Sequence, residues 1–439
     1  KRFAAVFVTA LLVFLFLYNK PEGIGEGPRI RRPFPSKDGG VSIPGWGGQS
    51  PPGEKQPSGA PPQDHDEEAP PGSRRVDGSD YYYNGFIKFY KLASTMHSIS
   101  RTMGYRRENR NVLFAVSSLK SASNLIPLAC EMGKADRNYV HLAFLGRDDL
   151  PVDDILGLNG VDKQTCNVFW HDGRPDYSRF STEGRAEASV SAALGHIEGF
   201  MHPQVIIMDD SAQEDAFFTR GLRSKAEQLD HPVLEVPQGQ ADNFAWLTRL
   251  DSGSLNSWHK AQVDILIHAQ PGSSGSLIRL LKSLESADYS GLSPPRLTIE
   301  LPANIEPSTR DYLREIVWPP KRYRSPAQPN QLTLRHRIST RRITAEEASV
   351  RFLESFYPPS SENSHVLLLS PQAELSPLYF HYLKYVLLEY KYSSFGARSA
   401  GKLAGVSLEL PANLLNGTGP FPKPTLAHMN TDQYATQPS

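Results

Sequence analysis

The acidic pair Asp209-Asp210 closes the apolar run Val205–Met208, so two carboxylates leave a predicted strand side by side. Paired oxygens of this kind suit a hard divalent cation, Mn or Mg, bridging a diphosphate. The same residue types also cap a following helix, a use that needs no ligand. A second cluster, His171-Asp172-Gly173-Arg174, follows the run Asn167–Trp170. It offers phosphate binding or acid/base work, or else a salt-bridged loop. Gly146-Arg147-Asp148-Asp149 follows Tyr139–Leu145 and carries the same two readings. Further on, His268 ends the run Val263–His268 and opens onto a turn through Gly272 and Ser273. Backbone N–H groups of such a turn can meet an anion at the head of the next helix. No Walker loop, HExxH, GxSxG or GxGxxG motif is present, so the specific signatures of those chemistries are absent.

These candidates share one position: the carboxyl end of a predicted strand, where open α/β sheets bind ligands. Short apolar runs at 112–116, 139–145, 167–170, 205–208 and 233–236 alternate with amphipathic stretches at 122–132, 185–200 and 214–228. A second series begins at Val263, with strands expected at 263–268, 296–301, 331–336 and 365–369 and helices between them. The alternation predicts an α/β protein of two successive βα-repeat, Rossmann-like units with parallel-rich sheets. The first unit spans 80–240 and the second 263–415. A junction at 241–262, holding Trp246 and Trp258, lies between them, and 416–439 is a polar tail.

The chain has 439 residues, and Lys+Arg and Asp+Glu balance at 47 each, so no general charge draws it to nucleic acid. Its two cysteines, Cys130 and Cys166, are too few for a disulfide framework or a zinc cluster. They either pair once or stay as two buried thiols. Phe3–Tyr18 carries no charge, and about 16 residues at about 1.5 Å each give a short but workable membrane-spanning helix. No small-residue cleavage site follows it, and Lys1-Arg2 precede it, which points to an uncleaved anchor with the body in the lumen. From Pro21 to Arg75, 12 Pro and 11 Gly leave too little apolar surface for a core, so 19–79 reads as an extended stem. Anchor, stem and head together form the layout of a single-pass type II protein of the Golgi or endoplasmic reticulum. The sequon Asn416-Gly417-Thr418 is a glycosylation site if the body is lumenal.

The second series resembles the nucleotide-sugar domain of glycosyltransferase family 2, which has a GT-A-like fold. The likeness rests on the strand Val263–His268, the helical run Leu277–Leu284, and the segment Val366–Phe380 with Ser370, Gln372 and Glu374 at its turn. The whole of 80–420, including Val116–Lys120 and Phe169–Asp172, is similar to fungal membrane proteins of family 2-like type. The resemblance to well-understood enzymes covers 263–391. It implies a nucleotide-sugar donor held near His268, Gly272, Ser273, Gln372 and Glu374, and a glycan or glycoprotein acceptor. Where the family has an Asp-x-Asp metal motif, this chain has Ser370, Gln372 and Glu374, a single carboxylate. The metal would then fall to Asp209 and Asp210, or the reaction dispenses with one, or the chain is a non-catalytic lumenal binding or scaffold relative.

Overall fold

The computed structural model describes residues 81–96, 101–324, 328–336 and 344–394, with a few isolated positions between 403 and 420. The predicted anchor 3–18, the stem 19–79 and the sequon at Asn416 lie outside the described residues. Among the described residues, no helix is long and apolar enough to cross a membrane.

The chain enters through helix α1 (Tyr90–Met96) and then builds a Rossmann-like sheet. Its strands are β1 (Asn111–Val116), β2 (Tyr139–Phe144), β3 (Phe169–Asp172), β4 (Ile206–Asp209) and β5 (Val233–Val236), all parallel in the order β3-β2-β1-β4-β5. Helices α2 (Leu119–Lys134) and α3 (Val152–Leu158) cover one face. On the other, α4 (Glu183–Met201) and α5 (Ala216–Leu229) pack with α1. Burial on both faces explains why the strands read as unbroken apolar runs. Every residue of β1 is buried.

Residues 241–262 hold the 3-10 segment Asp242–Arg249 and the short helix α6 (Ser252–Asn256). The second sheet follows, with β6 (Gln262–His268), β7 (Arg296–Leu301), β8 (Leu332–His336) and β9 (Ser364–Leu369), again all parallel, in the order β8-β7-β6-β9. Helices α7 (Ser274–Ser286), α8 (Pro307–Glu315) and α10 (Tyr379–Leu387) bury their apolar sides on one face. Helix α9 (Ala345–Leu353) connects β8 to β9, and its Phe352 ring lies 5.2 Å from the ring of His268. The two units expected from the sequence are therefore present as two parallel sheets.

One apolar core runs through both sheets, from Phe114 and Leu125 through Phe244 and Trp258 to Ile265 and Leu280. At the junction the indoles of Trp246 and Trp258 stack at 5.4 Å. Lys384 of α10 donates to the Trp258 carbonyl at 2.6 Å, and burial pulls its pKa down to about 8. After α10, Glu389 makes a bidentate pair with Arg137 at 3.0 and 2.9 Å, fastening the C-terminal segment beside β2. The junction is thus a packed interface rather than a linker.

Candidate functional site

Each sheet has one place where the strand order reverses, between β1 and β4 in the first and between β6 and β9 in the second. In the first sheet α2 and α5, the helices that follow these strands, lie on opposite faces, which opens a crevice at the carboxyl edge; in the second, α7 and α10 lie on the same face. The sequence candidates sit at these two places, and the two differ in kind.

In the second sheet, Val263, Ile265 and Ile267 of β6 point into the core, and the chain exits at His268. The turn is tied by Ser273, whose amide and hydroxyl both donate to the Gln270 carbonyl at 3.3 and 2.6 Å. Gly272 lies at φ +79°, a left-handed conformation that glycine adopts without strain. Because the Ser273 hydroxyl is engaged behind it, no side chain caps the first turn of α7. That helix start borders a small groove of about 20 Å³, lined by Gly272, Ser273 and Ser274 on one side and Asn304, Glu306 and Thr309 on the other. The Thr309 hydroxyl is buried (3% exposure) and has no hydrogen-bond partner among the described residues. An uncapped helix N-terminus beside a donor hydroxyl favours an anionic group such as a phosphate.

Of the other sequence candidates, His268 points to the opposite face, where its Nδ1 lies 3.7 Å from Glu300. Gln372 and Glu374 are exposed on the turn after β9, and their side chains make no hydrogen bond among the described residues. The structure therefore brings Gly272 and Ser273 into the groove and leaves His268, Gln372 and Glu374 outside it.

In the first sheet, the equivalent position is filled by the protein itself. Ser118 and Ser121 cap α2 reciprocally, closing its N-terminus. The Ser117 amide donates to the Glu214 carboxylate at 3.1 Å, and the Ser117 hydroxyl donates to the same oxygen. Glu214 is 7% exposed, and its other oxygen has no partner among the described residues. Burial pushes its pKa up to about 7. Asp209 accepts from Asn124 at 2.8 Å, while Asp210 accepts from the amides of Ala212 and Gln238 at 2.8 and 3.0 Å.

The two aspartates thus diverge, as successive side chains leaving a strand must. Among the described residues, no group of three or more His, Cys, Asp or Glu could hold a metal ion. The donor set at Asp209, Asp210 and Glu374 does not fit a divalent cation.

Arg174 makes a two-nitrogen pair with Asp172 at 2.7 Å each and also donates to the Leu150 carbonyl, so the His171–Arg174 cluster is a salt-bridged loop. Sequence reasoning missed Glu214 and Thr309. Both sit near helix starts among ordinary polar residues, and nothing in their spacing marks them.

A raised carboxyl pKa costs the folded state as pH climbs. With a folded value of about 7, Glu214 supports stability at low pH and loses that support as pH rises from the unfolded value through 7. Glu214→Gln is expected to gain about 2 kcal/mol relative to the wild type between pH 5 and pH 8, read by urea unfolding at both pH values. Parallel pH profiles for the two proteins would show that Glu214 titrates as an exposed carboxylate does.

A family model described as the SPBC1E8.03c N-terminal domain matches residues 95–258, a stretch that contains the whole five-stranded sheet. No curated protein matches the chain. Among solved structures, the S. aureus MnaA–UDP co-structure aligns at 8% identity and TM-score 0.24, over 60% of this chain and 74% of that one. UDP-GlcNAc 2-epimerase from Neisseria meningitidis, bound to UDP-GlcNAc, aligns at 13% identity and TM-score 0.23, over 59% and 77%. A UDP-N-acetylglucosamine 2-epimerase from Listeria monocytogenes, described as putative, aligns at 7% and 0.22, over 59% and 73%. At such scores nothing passes from these proteins to this chain.

Proposed function

We propose that this chain binds a nucleotide-sugar donor at the β6–α7 groove and transfers the sugar to a glycan or glycoprotein acceptor. The observation that carries the reading is the uncapped N-terminus of α7 opening on a groove that also holds the unpartnered Thr309 hydroxyl. A diphosphate placed there would meet backbone N–H groups and the positive end of a 13-residue helix. The resemblance of 263–391 to family 2 glycosyltransferases supports the same assignment. Phe3–Tyr18 and the Pro/Gly stem support a membrane-tethered, lumenal protein of the Golgi or endoplasmic reticulum.

A second reading is favoured by one specific feature. Glu374 stands alone and exposed where the family has paired carboxylates. A protein that binds the donor without turning it over, and organises other enzymes, fits that feature.

Titration of the protein with UDP and GDP, each with Mn²⁺ or with a chelator, tests the site. Saturable binding is expected, unchanged by the chelator. Gly272→Ala should weaken it about tenfold, since the strained turn shifts the amides, while costing only about 1 kcal/mol of stability. Failure of every nucleotide diphosphate to bind would remove the assignment. Binding without sugar release from any donor, in the presence of glycan acceptors, would favour the non-catalytic relative.

A further inference from the structure

The face of the second sheet away from α7 is polar where an α/β sheet is ordinarily apolar. Strand alternation places Asp264 and Leu266 of β6, Arg296 and Thr298 of β7, and Thr333 and Arg335 of β8 on that side. The register sets Asp264 opposite Arg296, and Leu266, Thr298 and Thr333 in one row across the three strands. Together with the segment Ser355–Tyr357 after α9 they enclose an open cleft of about 380 Å³. That volume falls within the range of ligand sites, roughly 300–1,000 Å³.

Its polar groups are arranged in a particular way. Arg296 and Asp264 form a planar two-bond pair, each contact 2.6 Å, which cancels both charges while leaving oxygen and N–H edges exposed. The hydroxyls of Thr298 and Thr333 have no partner among the described residues. The Oε1 of Gln331 is buried and equally without a partner. Arg335 donates to the Ser355 carbonyl at 2.8 Å and lies over one side of the Tyr357 ring at 5.3 Å. The ring itself is 72% exposed, so its other side is open to the cleft mouth.

We propose that this cleft binds a carbohydrate, with Tyr357 stacking against a sugar ring and Thr298, Gln331 and Thr333 meeting its hydroxyls. A neutral polyol needs donors and acceptors interleaved at close spacing beside an aromatic face, and these residues supply both. A bare anion is disfavoured, because the Arg296 charge is already neutralised by Asp264 and Arg335 is engaged by the Ser355 carbonyl and the Tyr357 ring. The cleft lies on the opposite face of the sheet from the Gly272 groove, so it stands apart from the proposed donor site, and a bound glycan there would be held as acceptor or anchor.

The test is saturation-transfer NMR on the full chain with N-acetylglucosamine, methyl mannoside and galactose, alongside inorganic phosphate and UDP. At least one sugar is expected to bind saturably. Tyr357→Ala and Thr333→Val should each weaken it about tenfold, the size of a lost stacking contact or paired hydroxyl. Both residues are exposed, so the variants should fold, and UDP titration should be unchanged in them. That control separates this cleft from the donor groove. Absence of saturable binding by every sugar, binding of phosphate in their place, or unchanged sugar affinity in both variants would overturn the proposal.

Discussion

Acidification from pH 7 to pH 5 is expected to cost the folded protein about 4 kcal/mol through His141 and His171 alone, about 2 kcal/mol for each ring. The two imidazoles are fully buried on the α4 side of the first sheet, in a polar chain that crosses from α1 to β1. Thr95 lies 3.1 Å from His171 Nδ1, His171 Nε2 lies 3.0 Å from His141 Nδ1, and His141 Nε2 lies 3.4 Å from Asn111 Oδ1. Asn111 donates its amide to the Met201 carbonyl at 2.6 Å, so its Oδ1 is left to accept. That fixes the polarity of the inner contacts: His171 donates to His141 and His141 to Asn111, while the Thr95 hydroxyl donates to the Leu92 carbonyl at 2.9 Å.

A proton added to His141 would set N–H against N–H in a dry interior. Burial holds His141 well below the usual imidazole pKa, with the neighbouring His171 adding to the effect, and burial brings His171 itself to about 4. The unfolded chain binds both protons near pH 6.5 while the folded chain refuses them. Stability is therefore complete above that pH and lost as pH falls toward the folded values. Glu214 works in the other direction over the same interval, so the wild-type profile is flatter than the histidines alone would give. Comparing the wild type with His141→Leu/His171→Leu removes that complication, because Glu214 contributes equally to both. Urea unfolding at pH 7 and pH 5 should show a pH dependence shallower by about 4 kcal/mol in the double variant. Identical pH dependence would mean that the pair takes up protons in the folded protein as readily as in the unfolded chain, and would overturn the argument.

The fold was legible because each parallel strand is an apolar run between polar turns. Eight of the nine described strands coincide within a residue with runs visible in the sequence. The third strand was placed at 167–170 and lies at Phe169–Asp172, since His171 and Asp172 look like loop residues until their buried partners are known. Helix α3 does not stand out in the sequence, because seven residues carry too short a pattern.

The candidate sites were legible only where chemistry follows the chain. Gly272 and Ser273 are found by reading along a strand into a glycine turn. Asp209-Asp210 misled for a geometric reason: neighbours in an extended chain point apart, so adjacency in sequence argues against a shared ligand. The cleft around Thr298 and Tyr357 has no linear motif. It arises from the register of three strands and the return of the chain at Ser355–Tyr357, and sequence reading has no access to either.

The disulfide carries the second large effect. Cys130 in α2 is joined to Cys166, 36 residues on, just before β3. The closed loop contains the end of α2, all of β2 and helix α3. Chain-entropy arithmetic for a loop of this length gives about 4 kcal/mol, and measured bonds of this kind give about 2–4. The contact it fastens is already close: a Cβ on Gly133 of α2 would come within 2.5 Å of the Asn167 carbonyl, so the helix rests directly on the strand's approach. The bond therefore reinforces a native contact and restricts the unfolded chain. Cys130→Ala/Cys166→Ala should lose about 2–4 kcal/mol in urea unfolding, and reductant should destabilise the wild type by a similar amount while leaving the variant unmoved. Thiol labelling of the unreduced, denatured wild type should find no free cysteine. A wild type indifferent to reductant would contradict the argument. The same bond bears on the proposed location, because a single structural disulfide persists in an oxidising lumen and is rare in the cytosol. Protein made in the secretory pathway should carry it in full, and cytosolic expression should yield the less stable, reduced form.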